Sequence, residues 1–123
     1  MANRDRVLAF IAAWERKDVD AIIAAMTSDA VYHNIPMPPV QGHEAIRALI
    51  AQFLTPAEAV RWAVHAIAET ANGTVLTERT DTFQMAGGKI ITLPVMGAFE
   101  FRDGKISAWR DYFDLAQFQS QMA

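Results

Sequence analysis

The order of elements in this sequence predicts an α+β fold, with three to four helices packed on one face of a curved antiparallel sheet and a deep pocket between them. Three observations carry that prediction. Apolar residues recur at three-to-four-residue spacing through the first third of the chain. Turn dipeptides recur at hairpin spacing through the second half, and a proline-rich stretch separates the two regimes.

Val7, Leu8, Ile11 and Trp14 share one side of a first helix, and "VDAIIAAM" behind Asp18, a residue suited to an N-cap, continues as a second. "AVYHNIPMPPVQG" opens with strand formers and then meets Pro36, Pro38 and Pro39, which cannot continue a ladder, so it reads as a short strand and a loop. Gly42 precedes "HEAIRALIAQFL", a third helix with Ile46, Leu49, Ile50 and Phe53 on one side. Asn72-Gly73, Gly87-Gly88 and Asp103-Gly104 then divide the remainder into a four-strand meander over 59–71, 74–85, 89–101 and 105–113. The first of these strands is alanine-rich enough to read also as a helix. Covering one end of a curled sheet with helices leaves a concave space lined by alternate strand residues.

At 123 residues the chain reads as one domain spanning 1–123, and 52% hydrophobic with 20% charged residues is ordinary for a soluble globular protein. A net charge of -3, with both signs scattered, offers no stripe for neutralising phosphates, which argues against nucleic-acid binding. Absence of cysteine removes disulfides and thiolate chemistry together and fits a cytoplasmic protein. Arg4 and Arg6 before "VLAFIAAW" superficially resemble a signal peptide, but Asp5 interrupts the basic region and Trp14 leads straight into "ERKD". No segment approaches the roughly 18 apolar residues of a membrane span. His33, His43 and His65 lack metal-ligand spacing and read as surface or pocket-rim residues; no metal and no cofactor are expected. Phe10, Trp14, Phe53, Trp62, Leu93, Val95, Met96 and Phe99 read as core or pocket wall, with "ITLPVMGAF" shaping the cavity and Pro94 marking a bulge.

Charged residues interrupt this apolar pattern. Strand alternation puts Val75, Thr77, Arg79, Asp81, Phe83 and Met85 on one face, so Arg79 and Asp81 sit among inward-facing residues, where a charge must be paired or used. In the last strand Lys105, Ser107, Trp109, Asp111 and Phe113 form one set, with Asp111 between two aromatics. Taken alone, Arg79 and Asp81 read first as a structural ion pair that fixes register. A second carboxylate changes the balance, because two ionised aspartates around one arginine carry -1. Sharing one proton relieves that charge and leaves an acid opposite a base. Tyr32 and Asn34 add two neutral hydrogen-bonding groups on one face of the short strand, which on spacing alone read as a core-edge tyrosine and a turn-starting asparagine.

Tyr32-x-Asn34, Arg79-x-Asp81 and Trp109-x-Asp111, in that order, resemble the limonene-1,2-epoxide hydrolase family, whose members share the cone-shaped nuclear transport factor 2-like (NTF2-like, SnoaL-like) fold. The resemblance spans essentially the whole chain. It implies that Asp81 is the general acid, Asp111 the base that deprotonates water, and Arg79 the bridge between them. Tyr32 and Asn34 would hold the water with Asp111, and Trp109 would fix the acid-arginine side through its indole N–H. It further implies a small hydrophobic epoxide and water as reactants, and a homodimer through the sheet. Beside that family the chain is short, chiefly at its N-terminus, so the cap of the pocket is unassigned. Two other functions share the fold: an isomerase or cyclase of the ketosteroid isomerase kind, and a non-catalytic ligand-binding dimerisation domain. The Arg79 bridge argues against the first. Assay of terpene, styrene and cyclohexene epoxides separates all three.

Overall fold

A computed structural model describes residues 1–123. The chain runs α1 (Asn3–Glu15), α2 (Val19–Ala24), β1 (Met26–Asn34), β2 (Val40–Gln41), α3 (His43–Leu54), β3 (Ala57–Glu69), β4 (Val75–Met85), β5 (Ile90–Arg102), β6 (Lys105–Tyr112) and α4 (Leu115–Met122). This is the α+β class read from the sequence, a curved and unclosed six-stranded sheet with four helices. No helix is long and apolar enough to cross a membrane.

Local chemistry explains the boundaries. Lys17, in the left-handed region at φ 59°, ends α1: its N–H returns to the Trp14 carbonyl and the Asp18 N–H to that of Ala13. The Asp18 carboxylate then caps α2 by accepting from the Ala21 N–H at 3.1 Å. α2 ends at Ala24 rather than at Met26, because Met26 pairs with Ile106 and already belongs to β1. The fourth helix, within the expected number but not located from sequence, is capped by Asp114, which accepts from the Gln117 N–H at 3.0 Å.

The sheet order is β2-β1-β6-β5-β4-β3. β3 to β6 form the expected antiparallel meander, and the alanine-rich segment is a strand. At the last hairpin Asp103 and Gly104 both adopt positive φ (52° and 78°), the backbone a tight right-twisting turn requires. β1 lies parallel to β6, with Tyr32 opposite Trp109 and Asn34 opposite Asp111. That pairing brings the first motif to the third, although Trp109 lies 77 positions after Tyr32.

Helices α1 to α3 and the inward sheet face share one core. Trp109 is at its centre, stacked with Phe99 at 5.5 Å and met edge-on by Phe10 at 5.0 Å; each buried phenylalanine stabilises the fold by about 1.5–3 kcal/mol.

Three expectations about individual side chains are corrected. Met96 is exposed on the outer face, not core or pocket wall, because it alternates with the buried Val95. Pro94 marks no bulge: it pairs in register with Thr80, beyond the last β5–β6 pair, Met96 with Tyr112, so no ladder on the β6 side needs its missing N–H. The irregularity lies instead between Glu100 and Phe101, opposite Ala108 and Ile106. It makes Ser107 the extra residue and reverses the alternation, so Ile106 is buried while Lys105 is exposed, and Lys105 and Ser107 do not belong with Trp109 and Asp111.

Candidate active site

Strand alternation in β4 holds as expected, with Val75, Thr77, Arg79 and Asp81 buried and Leu76 and Glu78 exposed. Arg79 is 1% exposed, and charges that deep must be paired. All five of its N–H donors are occupied. Nε and Nη2 donate to Oδ1 and Oδ2 of Asp81 at 3.0 and 2.8 Å, and Nη1 and Nη2 donate to Oδ1 and Oδ2 of Asp111 at 3.2 and 2.9 Å. The remaining Nη1 proton goes to Thr77 Oγ1 at 3.1 Å. One guanidinium thus holds two carboxylates in bidentate contact, which fixes their separation and orientation together.

Reaching Asp111 requires Arg79 to cross β5. Thr77, Gly97 and Asp111 are cross-strand partners in one row, with Asn34 next to Asp111 in β1. The Arg79 side chain passes over Gly97, where a Cβ atom would lie 2.5 Å from Arg79 Nη1, 2.8 Å from Asp111 Oδ1 and 2.9 Å from Thr77 Oγ1. Only glycine leaves that path open.

Trp109 Nε1 donates to Asp111 Oδ1 at 2.8 Å. This corrects the expected placement of the indole on the acid-arginine side, because Trp109 and Asp111 are two apart in β6 and face the same way. The Tyr32 ring stacks on Trp109 at 4.0 Å, and its hydroxyl donates to Asn34 Oδ1 at 3.3 Å. Asn34 Oδ1 keeps a further lone pair and the tyrosine oxygen its own. All six residues singled out in the sequence therefore lie together. Thr77 and Gly97 complete the site without having been singled out, though both leave a trace in the sequence. Thr77 falls on the inward face of its strand, and a glycine inside a strand signals close approach of another group.

Burial is the leading influence on protonation. It raises the Asp81 carboxyl to about 6, with the Asp111 charge adding to the rise and the Arg79 hydrogen bonds and charge opposing it. Burial alone would lower the Arg79 guanidinium, but the Asp111 charge and the Asp81 hydrogen bonds outweigh it, and its pKa is raised. The Tyr32 hydroxyl is also pushed up, by burial first, and stays neutral.

Asp81, Asp111, Tyr32 and Asn34 are the polar groups of a pocket whose other walls are Trp14, Phe53, Trp62, Phe83, Leu93, Val95, Phe113 and Phe118. His33, His43 and His65 are not among them. His43 Nε2 bonds the Met26 carbonyl at 3.0 Å, and His65 meets Thr80 on the outer face. Two carboxyl groups locked on one cation, in an apolar pocket, are an arrangement suited to acid-base addition of a polar reagent across a strained apolar substrate.

The family described as limonene-1,2-epoxide hydrolase catalytic domain matches residues 1–123. Epoxide hydrolase EphG of Mycobacterium tuberculosis is 36% identical over 109 residues, covering 89% of this chain and 71% of that protein. Among solved structures, an M. tuberculosis LEH-like epoxide hydrolase superposes with a TM-score of 0.83 at 31% identity, over 97% of this chain and 87% of that one. A putative polyketide cyclase from Pseudomonas putida superposes with a TM-score of 0.82 at 22% identity, over 100% and 99% of the two chains, a likeness of fold alone.

Proposed function

This chain belongs to the limonene-1,2-epoxide hydrolase family, and on that premise we propose that it adds water to a small hydrophobic epoxide, terpene-like or cyclic, giving a vicinal diol in one step. The observation that carries this reading is the Arg79 guanidinium held between Asp81 and Asp111. Water attacks an epoxide carbon, Asp111 takes a proton from that water, and Asp81 delivers its own proton to the departing ring oxygen. The C–O bond to water forms as the ring C–O bond breaks. Asp81 ends ionised and Asp111 protonated, and exchange with solvent resets both. Without the acid the ring would open to a strongly basic alkoxide, and without the base water is a poor nucleophile. Each contribution is worth about 10² to 10⁴ in rate. Tyr32 and Asn34 hold the attacking water beside Asp111, and the aromatic walls match an apolar substrate.

Single turnover in ¹⁸O-labelled water tests the one-step route. We expect label in the diol and none in Asp81 or Asp111; label in either aspartate requires an ester intermediate instead. Diol formation from a panel of terpene, styrene and cyclohexene epoxides tests the activity itself. Tight binding of apolar ligands with no diol from any epoxide would favour a binding domain.

The reaction needs Asp81 protonated. Its raised pKa means that the required proton is present below about pH 6 and is lost as pH rises through that value. We expect kcat/KM to fall tenfold per pH unit above about 6, measured with a neutral epoxide. A flat profile from pH 6 to 9 would remove Asp81 from the acid role.

We also infer a homodimer through the outer sheet face. Leu76 and Met96 are exposed there beside Ala66 and Ala68, and Tyr112 pairs with Met96. Sedimentation velocity should give a dimer for the native chain and a monomer for Leu76→Glu/Met96→Glu. An unchanged mass in the variant would rule out this face.

A further inference from the structure

We propose that Trp62 is a positioning residue for the reaction: its indole ring closes one face of the Arg79 guanidinium and keeps that plane locked between Asp81 and Asp111. The inference rests on the hydrolase reading above. Arg79 spends every N–H within its own plane, on Asp81, Asp111 and Thr77, so only the faces of the guanidinium remain to be satisfied. The Trp62 ring lies over Arg79, with Cζ 4.7 Å from the ring centroid. An aromatic face attracts a cation without accepting its hydrogen bonds and without adding charge. A third carboxylate there would compete with both aspartates for N–H donors, and an aliphatic side chain would offer no π face to attract the cation.

Trp62 is itself held firmly. It is 4% exposed, stacks on Trp14 at 4.5 Å and meets Phe83 edge-on at 6.4 Å. β3 is an edge strand, and the Trp62 backbone N–H has no neighbouring strand to take it; the Glu15 carboxylate of α1 accepts it at 3.0 Å. The helix thus pins the strand at the residue whose ring covers the arginine. Water is excluded from that side of the guanidinium, which strengthens its hold on the two carboxylates. The ionisable groups around Asp81 are Arg79 on its own strand, Asp111 from β6 and Tyr32 from β1. Burial favours the protonated form of Asp81 and Arg79 the ionised form, so opening the Trp62 side of the guanidinium alters both and displaces the Asp81 titration.

Three readouts on the full chain test this with Trp62→Leu and Trp62→Phe. In Trp62→Leu we expect kcat to fall at least about tenfold with KM changed less than about threefold, and the alkaline limb of the pH profile to be displaced. Trp62→Phe keeps a π face and should recover most of that loss. By NMR, the Arg79 Nε–H should exchange with solvent faster in Trp62→Leu than in the native protein or in Trp62→Phe. A change in KM alone, with kcat, pH limb and exchange unmoved, would make Trp62 a plain pocket wall and overturn the proposal. If the native protein forms no diol, the hydrolase reading fails by itself, and the exchange measurement still decides whether Trp62 holds Arg79.

Discussion

Asp111→Asn and Asp81→Asn each lower kcat by about 10² to 10⁴, equivalent to roughly 3 to 5 kcal/mol of transition-state stabilisation, while the protein remains folded. The two losses have different chemical origins. An amide in place of the Asp111 carboxylate cannot take a proton from water, and one in place of the Asp81 carboxyl cannot give a proton to an epoxide oxygen. Both substitutions are isosteric, and each turns two carboxylates around one guanidinium into one, so the site moves from a net -1 with both ionised to zero. Against that relief stands one lost acceptor. The new amide must face an Arg79 N–H, since Asp81 takes two such donors and Asp111 takes two plus the Trp109 indole. An unpaired buried donor costs about 1–3 kcal/mol, short of unfolding a domain of ordinary stability. Denaturant melts run beside single-turnover assays separate the effects. Folded variants with activity within about threefold of native would remove both aspartates from the chemistry. On the proposed one-step route acid and base act together, so the double variant should lose much less than the product of the single losses.

Much of this fold is written in local chemistry. Turn dipeptides at Asn72-Gly73, Gly87-Gly88 and Asp103-Gly104 locate three hairpins, and strand alternation alone puts Arg79 and Asp81 on the buried face of β4. Features set by distant pairing are harder to read. Nothing near Tyr32 says that β1 lies parallel to β6, and only that register places Asn34 beside Asp111. The same limit explains Trp109. Its type and spacing are visible, but its indole serves Asp111 because both project from one face of β6. At Ser107 a single inserted residue reverses the alternation expected for Lys105, and no residue type in that stretch announces it. Met96 reads as wall because it is large and apolar, whereas side-chain direction is decided by its neighbour Val95.

Gly97→Ala lowers kcat at least about a hundredfold, although it adds one methyl group and touches no substrate. The new carbon would sit 2.5 Å from Arg79 Nη1, 2.8 Å from Asp111 Oδ1 and 2.9 Å from Thr77 Oγ1, all below the separations real side chains tolerate. None of the three can yield without giving up a hydrogen bond. Arg79 Nη1 is held by Asp111 and Thr77, and Asp111 Oδ1 also holds the Trp109 indole. The weakest link is the 3.2 Å contact between Nη1 and Oδ1, so the guanidinium lifts away from Asp111 and stays on its own-strand partner Asp81. That leaves a buried carboxylate short of its cation, a change that costs about 3–5 kcal/mol of stability and ends the guanidinium's hold on both aspartates. Chemical denaturation and near-UV circular dichroism establish whether the variant is folded, and the Arg79 Nε–H resonance reports where the guanidinium has gone. A folded Gly97→Ala protein with near-native kcat and an unshifted Arg79 resonance would show that the arginine does not need its path across β5. The expected outcome, folded but nearly inactive, would mean that the distance between acid and base is set by a residue with no side chain.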